Sequence, residues 1–266
     1  MHIKRWLTGI ISAPFLIYMI GWGPRRLFYS FLFVAAIAGL DEFYKMAPSS
    51  LPKIVRWFSY FITLLLFLIF SIKQVLLAPV IIVLWAIVPM TFYMFTHPLP
   101  DEQWVADIGR AVLGPIYICL PLAMLILIDM RPQGHIWIFF LLIVVFANDT
   151  GAFYSGRFFG KHKLYEAVSP NKTWEGAVGG LISSFIVALI FLFFFKINEL
   201  KPGILILVFL LSAIAQIGDL AESMLKRIYG IKDSGKILPG HGGLLDRIDA
   251  ILFSIPVLYI YITWTI

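Results

Sequence analysis

The chain has 266 residues, of which 61% are hydrophobic and 14% are charged. One water-soluble core cannot bury so much apolar surface, which excludes a soluble globular enzyme and indicates a membrane protein. The formal net charge is +6. In a membrane chain such an excess more often marks the cytoplasmic face, so we predict no nucleic-acid partner. The single cysteine, Cys119, excludes an intrachain disulfide and a multi-cysteine metal cluster.

Apolar runs of near 20 residues predict an all-α, polytopic integral membrane protein with about nine transmembrane helices. The predicted spans are 6–22, 27–40, 57–72, 75–95, 111–128, 135–147, 175–195, 202–218 and 249–265. The second and sixth are short, so they either lie half buried or extend into the neighbouring polar residues. Segments 41–56 and 97–110 carry proline and mixed charge, and we interpret them as interfacial elbows without chemistry.

The distribution of basic residues predicts the orientation. With nine spans, fifteen Lys and Arg fall on the side of the N-terminus and six on the other side. The positive-inside rule therefore predicts a cytoplasmic N-terminus, with the polar loops 148–174 and 219–248 on the same face. We expect residues 1–134 to form a scaffold and a candidate route for lipid, and residues 135–266 to form the catalytic region.

Three acidic residues stand at the ends of predicted spans: Asp149, Glu175 and Asp219. A carboxylate at that depth costs a few kcal/mol unless a cation or a water-filled cavity offsets it. Each is interpreted either as a helix-end charge at the headgroup level or as a functional group. If the helix continues past Asp219, one of its faces becomes a polar wall. That wall consists of Asp219, Glu222, Ser223 and Lys226.

Asp246 and Asp249 are three residues apart at the start of the last span, so both can point the same way. Two helices would then offer oxygen ligands to one point, as Mg²⁺ prefers when it also binds substrate phosphates. We predict Asp219 and Asp246 as principal ligands, assisted by Asp249 and Asp149. The alternative is a salt-bridged helix pair without a metal.

Between these helices runs the segment KDSGKILPGHGG. Its glycines allow backbone N–H groups to approach a ligand closely, and the loop therefore suits phosphate. It contains no P-loop and no dinucleotide-binding motif. A flexible solvated turn has a similar composition and is the alternative.

The earlier polar segment contains SPNKTWEG, which is typical of a helix start. Ser169 would cap the helix, Pro170 suits its first position, and Glu175 lies where negative charge is favourable. An anion beside Lys172 at the free N–H groups is an equally supported interpretation.

Residues 223–249 together resemble the phosphatidate cytidylyltransferase signature. The matching positions are Ser223, Leu225, Lys226, Arg227, Lys232, Asp233, Leu238, Pro239, His241, Gly242, Gly243, Asp246, Arg247 and Asp249. The segments 148–150 and 169–176 are similar to further features of that family. The N-terminal half resembles it only in being hydrophobic.

The resemblance implies transfer of a cytidylyl group from CTP to phosphatidic acid in the plasma membrane, with CDP-diacylglycerol and pyrophosphate as products. It also implies Mg²⁺, with a second cation left open, and an active site that faces the cytoplasm. The expected catalytic residues are Asp219, Asp246, Lys226, Arg247 and His241, although His241 is equally well explained as a structural loop residue. The expected substrate contacts are Ser169, Asn171, Lys172, Thr173, Ser223, Arg227, Lys232, Gly242 and Gly243.

Two other functions are compatible with the pattern. Intramembrane acids mark ion pathways, so an ion-coupled transporter is one alternative. Its disadvantage is that the acids cluster at span ends and that the two halves do not mirror each other. A CTP-dependent phosphotransferase acting on another lipid is the second. Small residues at Ala35, Ala36, Ala38 and Gly39 leave a homodimer open, beside packing within one chain.

Overall fold

The computed structural model describes residues 13–96, 99, 101–195, 202–237 and 242–265. Residues 13–21 are helical and precede nine further α-helices in this part of the chain. These are α1 (Arg25–Met46), α2 (Lys53–Ser71), α3 (Ala78–Thr96), α4 (Glu102–Gly114), α5 (Leu120–Asp129), α6 (Gly134–Phe159), α7 (Trp174–Phe195), α8 (Pro202–Ile228) and α9 (Leu245–Thr265). A 3₁₀ turn, Val75–Leu77, precedes α3, and a π-helical turn, Pro115–Cys119, joins α4 to α5.

An antiparallel hairpin interrupts the helices. It consists of β1 (Lys163–Tyr165) and β2 (Ser169–Thr173), with Lys163 opposite Thr173 and Tyr165 opposite Ser169. The sequence did not predict it. The hairpin lies directly before α7, so it sets the position of the residues that precede that helix.

Eight helical segments within the described ranges are long and apolar enough to cross a membrane, with α4 and α5 counted as one. They correspond to the second through ninth predicted spans. The first predicted span, 6–22, lies partly outside the described residues, and its described part is helical from residue 13 to residue 21. The prediction of an all-α, multi-pass membrane protein is confirmed.

Helix boundaries differ from the prediction at the polar segments. Helix α1 continues to Met46, α6 to Phe159 and α8 to Ile228, so large parts of the predicted loops 148–174 and 219–248 are helical. The elbows predicted at 41–56 and 97–110 are likewise wrong where these segments form helix. His97 lies outside the described residues. On α1 and α8, charged residues do not end the helix because ion pairs one turn apart neutralise them. Lys45 pairs with Asp41 on α1 in this way, and Lys226 pairs with Glu222 on α8.

The chain forms two compact units. The first contains residues 1–127 and 233–246, and the second contains residues 128–232 and 247–266. The core of the first includes Phe28, Phe43, Tyr44, Trp85 and Ile118, and that of the second includes Phe140, Leu141, Leu211, Ile255 and Leu258. The functional division at residue 134 stays a prediction.

In the second unit, α6 and α7 approach each other through small residues. A Cβ atom on Gly180 would lie 2.7 Å from the carbonyl oxygen of Asn148, and one on Gly176 would lie 2.8 Å from that of Ala152. Glycine at these positions removes the side chain that would hold the backbones apart. The close contact fixes the Asn148 turn of α6 against the first turns of α7.

Candidate active site

An ion pair joins the two polar segments of the second unit. Lys172 on β2 and Asp219 on α8 approach to 2.6 Å between Nζ and Oδ2. The side chains are 25% and 37% exposed as a whole, while the Lys172 Nζ atom itself is buried. An ammonium group can bind phosphate oxygens, and a carboxylate can bind a divalent cation. The pair therefore marks a candidate site for charged substrates.

Two further carboxylates belong to this site. Asp149 on α6 interacts electrostatically with Asp219 and Lys172. Asp249 on α9 interacts with Asp219, Asp149 and Lys226, and its side chain is buried. Three helices thus each contribute one aspartate, which we call the acidic cluster: Asp149, Asp219 and Asp249. Like charges so close together require cations, and Lys172 and Lys226 supply them in this structure.

A buried amide fixes the position of Asp149. Its neighbour Asn148 is fully buried, and the Asn148 Oδ1 accepts hydrogen bonds from Ser212 Oγ at 2.7 Å and Gln216 Nε2 at 2.9 Å. Gln216 Nε2 also donates to the carbonyl of Ala177 at 3.1 Å. These bonds tie α6, α7 and α8 together one residue from the carboxylate. Hydrogen bonds to a buried oxygen such as Asn148 Oδ1 hold helices in one register.

The polar face of α8 extends past Asp219, as predicted. Lys226 Nζ donates to Glu222 Oε2 at 2.5 Å, and the side chains are 13% and 1% exposed. Ser223 Oγ donates to Asp219 Oδ1 at 3.4 Å. Because Glu222 holds Lys226 in place, this ammonium is a fixed positive charge beside the acidic cluster. Glu222 is thereby assigned a role that the sequence left undefined.

The helix start predicted at SPNKTWEG is corrected by the structure. Ser169 and Pro170 lie in β2, and α7 begins at Trp174. The cap is Thr173, whose Oγ1 accepts the backbone N–H of Gly176 at 3.1 Å. A short hairpin edge tolerates proline, which explains why Pro170 does not mark the first helical position. Of the predicted contacts here, Asn171 is exposed and Thr173 is buried.

Glu175 serves the hairpin rather than the acidic cluster. It accepts hydrogen bonds from the backbone N–H groups of Lys161 at 3.1 Å and His162 at 3.2 Å, and His162 Nδ1 lies 2.6 Å away. Arg227, at the end of α8, donates from Nε to the carbonyl of Val168 at 3.2 Å. The hairpin is therefore held from both α7 and α8, which keeps Lys172 within reach of Asp219.

Asp246 belongs to the first unit and organises the glycine-rich loop. Its Oδ2 accepts hydrogen bonds from Ser234 N at 2.9 Å, Ser234 Oγ at 3.0 Å and Gly243 N at 2.8 Å. Gly242, with φ of +86°, turns the backbone toward this carboxylate. The carboxylate thus joins Ser234 to Gly243 at the start of α9. The predicted pairing of Asp246 with Asp219 on one cation stays a prediction.

Glu42 is a buried residue that sequence reasoning missed. It lies on α1, is 3% exposed, and accepts a hydrogen bond at Oε2 from Leu245 N at 2.9 Å. Ser234 Oγ donates to the same oxygen at 3.4 Å. A Cβ atom on Gly243 would lie 2.7 Å from this oxygen, so glycine permits the close approach. Glu42 lies at the end of an apolar run, and the same signal singled out Asp149 and Asp219.

The remaining predicted residues lie at the surface or outside the described ranges. Lys232 and Arg247 are exposed, and Arg227 is exposed beyond its contact with the hairpin. His241 lies outside the described residues, so its two interpretations both stay open.

Comparison with known proteins decides the family. The model of the cytidylyltransferase family matches residues 3–265. The chain belongs to this family. A phosphatidate cytidylyltransferase from Staphylococcus haemolyticus is 34% identical over 256 residues, which are 96% of this chain and 97% of that protein.

Two further relatives of the family carry the same name. One from Staphylococcus saprophyticus is 41% identical over 175 residues, which cover 66% of this chain and 67% of the relative. One from Staphylococcus aureus is 37% identical over 180 residues, which cover 68% and 69%. The resemblance seen in residues 223–249 is therefore confirmed over nearly the whole chain by the family match.

The acidic cluster fits the Mg²⁺ that the family resemblance implies. Across the described ranges, no three acidic, histidine or cysteine side chains are placed to hold a metal ion by themselves. Mg²⁺ does not require such a cage, since it usually rests on one or two carboxylates and takes its other ligands from water and substrate phosphates. Asp149, Asp219 and Asp249 offer only hard oxygen donors. These are the residues that would hold the ion.

Proposed function

We propose that this membrane cytidylyltransferase transfers the cytidylyl group of CTP to phosphatidic acid and forms CDP-diacylglycerol and pyrophosphate. The observation that carries the proposal is the acidic cluster with Lys172 and Lys226 in a chain that belongs to the cytidylyltransferase family. The names of the Staphylococcus relatives support phosphatidate as the acceptor.

The reaction sets a clear electrostatic demand. An oxygen of the phosphatidate monoester attacks the α-phosphorus of CTP and forms a new P–O bond. The bond between the α-phosphorus and the oxygen that bridges to the β-phosphate breaks, and pyrophosphate leaves. The attacking oxygen is already anionic, so no strong general base is needed. The protein must instead hold two anionic phosphates in line and offset their repulsion.

The second unit meets this demand with paired charges. Lys172 pairs with Asp219 and also interacts with Asp149, and a phosphate oxygen of bound nucleotide would compete with these carboxylates for its ammonium. Lys226 is fixed by buried Glu222 and contributes a stationary positive charge. Mg²⁺ bound at the acidic cluster would neutralise phosphate oxygens and orient the leaving pyrophosphate. Arg227, Lys232 and Arg247 are the accessible cations for the outer phosphates.

Asp246 and Glu42 act on the loop. Asp246 accepts hydrogen bonds from the backbone N–H groups of Ser234 and Gly243, and Glu42 accepts one from the N–H of Leu245. Both carboxylates thus hold the described ends of the loop that the sequence predicts to bind phosphate. A direct contact from Asp246 to the cation, as predicted from the sequence, would come in addition to its hydrogen bonds to the loop.

The orientation is part of the proposal. The excess of Lys and Arg on one side supports a cytoplasmic N-terminus and a cytoplasmic active site. Bacterial relatives support the plasma membrane as its location. CTP is available on that side.

The test uses purified protein in mixed micelles with CTP, phosphatidate and graded Mg²⁺. We expect pyrophosphate and CDP-diacylglycerol to form in equal amounts. A kinase acting on a lipid hydroxyl would instead release CDP, and diacylglycerol or a polyprenol would replace phosphatidate as its substrate. Release of CDP, or no reaction with phosphatidate, would contradict the proposal.

A further inference from the structure

The first unit contains a cavity of about 630 Å³ between α1 and α2. Part of its wall is apolar and includes Phe33, Val34, Ile37 and Trp57. Val34 and Trp57 are 63% and 71% exposed, so the wall opens to the outside of the protein. Both helices are membrane spans, and what lies outside them at this depth is lipid. We call this cavity the α1/α2 groove.

The mouth of the groove is charged. Arg56 Nη2 donates to Asp41 Oδ1 at 2.5 Å, and Tyr60 OH donates to the same oxygen at 2.9 Å. Lys45 forms an ion pair with the other oxygen of Asp41. Lys53 also lines the groove, is exposed, and makes no hydrogen bond or ion pair with any residue that the structure describes. Three cations therefore surround one carboxylate, which leaves the mouth positive.

The charged mouth and the apolar wall fit different parts of one molecule. From Phe33 to Asp41, α1 rises about 12 Å at about 1.5 Å per residue. This depth is less than one leaflet of a hydrocarbon core that is about 30 Å thick. A lipid with a negatively charged phosphate matches both ends at once.

We propose that the α1/α2 groove binds an anionic membrane lipid, with its phosphate at Lys53 and Arg56 and one acyl chain along Phe33 and Trp57. Basic residues at a membrane surface attract anionic headgroups, and the apolar wall replaces neighbouring acyl chains. The positive surplus selects against zwitterionic lipid. Asp41 holds Arg56 in place for this contact.

The groove also touches the glycine-rich loop of the same unit. Ile237 lines the cavity, three residues after Ser234, which hydrogen-bonds both Asp246 and Glu42. A lipid in the groove thus packs against the loop that these carboxylates order. Two kinds of anionic lipid fit this contact. One is phosphatidate, which carries a monoester phosphate and is the substrate in the proposed function on which this step rests. The other is an anionic lipid that is not a substrate.

Photolabelling without nucleotide tests the proposal independently of catalysis. The protein in nanodiscs is irradiated with phosphatidate, phosphatidylglycerol or phosphatidylcholine that carries a diazirine on one acyl chain. We expect anionic probes to label peptides of α1 and α2 that contain Phe33 or Trp57. Lys53→Gln should reduce this labelling about fivefold. Lys73→Gln, which changes an exposed lysine beyond the other end of α2, should leave it unchanged.

The probes distinguish the sources of the lipid. Preferential labelling by phosphatidate identifies a site for the substrate, and equal labelling by phosphatidylglycerol identifies a general site for anionic lipid. Equal labelling by phosphatidylcholine, or no effect of Lys53→Gln, would overturn the proposal. If labelling occurs but phosphatidate is not converted with CTP, the proposed function fails and the groove assignment stands.

Discussion

Lys172 Nζ lies 2.6 Å from Asp219 Oδ2. Helix α7 and residues 202–218 of α8 lie between these residues in the chain, and the ion pair brings Asp219 back to the strand directly before α7. The residues around Lys172 and Asp219 therefore share one end of the second unit. An error of one span in the count would have placed them on opposite faces. The contact is the geometric basis for assigning Lys172 and Asp219 to one site.

Asp219→Asn is expected to lower the rate of CDP-diacylglycerol formation by about 100-fold, because it removes a central charge of the acidic cluster. The measurement is the initial rate at saturating CTP and phosphatidate. Glu166→Gln is the matched control, since Glu166 is an exposed carboxylate of the hairpin, and it should keep the wild-type rate. A wild-type rate for Asp219→Asn would remove this residue from the site.

Asp249→Asn is expected to raise the Mg²⁺ concentration for half-maximal rate by about tenfold, since loss of one ligand or neighbour of a metal typically costs that much affinity. The measurement is a Mg²⁺ titration at fixed CTP. Chelation of divalent cations should stop the wild-type reaction, and added Mg²⁺ should restore it. An unchanged half-saturation point would indicate that Asp249 is only a buried structural carboxylate.

Glu42→Ala is expected to lower kcat about tenfold, because it leaves the backbone N–H of Leu245 without its acceptor and loosens the loop. Glu42→Gln keeps an oxygen acceptor and should restore most of the rate. Glu102→Ala, an exposed acid at the start of α4, serves as the control. If Glu42→Gln is as impaired as Glu42→Ala, the charge of Glu42 rather than its hydrogen bond is what matters.

Gly180→Ala is expected to destabilise the protein by roughly 2 kcal/mol, because its Cβ would lie 2.7 Å from Asn148. The measurement is thermal unfolding in detergent. Gly109→Ala is the matched control in another helix, since a Cβ there meets nothing within 4 Å, and it should be neutral or stabilising. Equal melting temperatures for the two variants would show that α6 and α7 adjust without cost.

Apolar runs of near 20 residues predicted the spans well because lipid requires long uninterrupted apolar helices. It placed the ends poorly because pairs such as Lys226 and Glu222 neutralise charge within a helix, so polarity alone does not mark a boundary. The hairpin was missed because a strand of five residues with a proline resembles a helix start. These errors concern local structure and leave the order of the spans unchanged.

The site was predictable where chemistry and position coincide. Carboxylates at span ends pointed to Asp149 and Asp219, and both lie in the acidic cluster. Glu42 was missed because its partner Leu245 is 203 residues away in the chain, a contact that no local pattern encodes. The helix-capping role of Thr173 was also missed, because a threonine hydroxyl is equally suited to cap a helix or to bind a ligand.

The most direct test is a structure of the protein with Mg²⁺ and a non-hydrolysable CTP analogue. Density for an ion about 2.1 Å from an oxygen of Asp219, with nucleotide phosphate in its coordination sphere, is the predicted result. Nucleotide bound with its metal ion remote from Asp149, Asp219 and Asp249 would contradict the account.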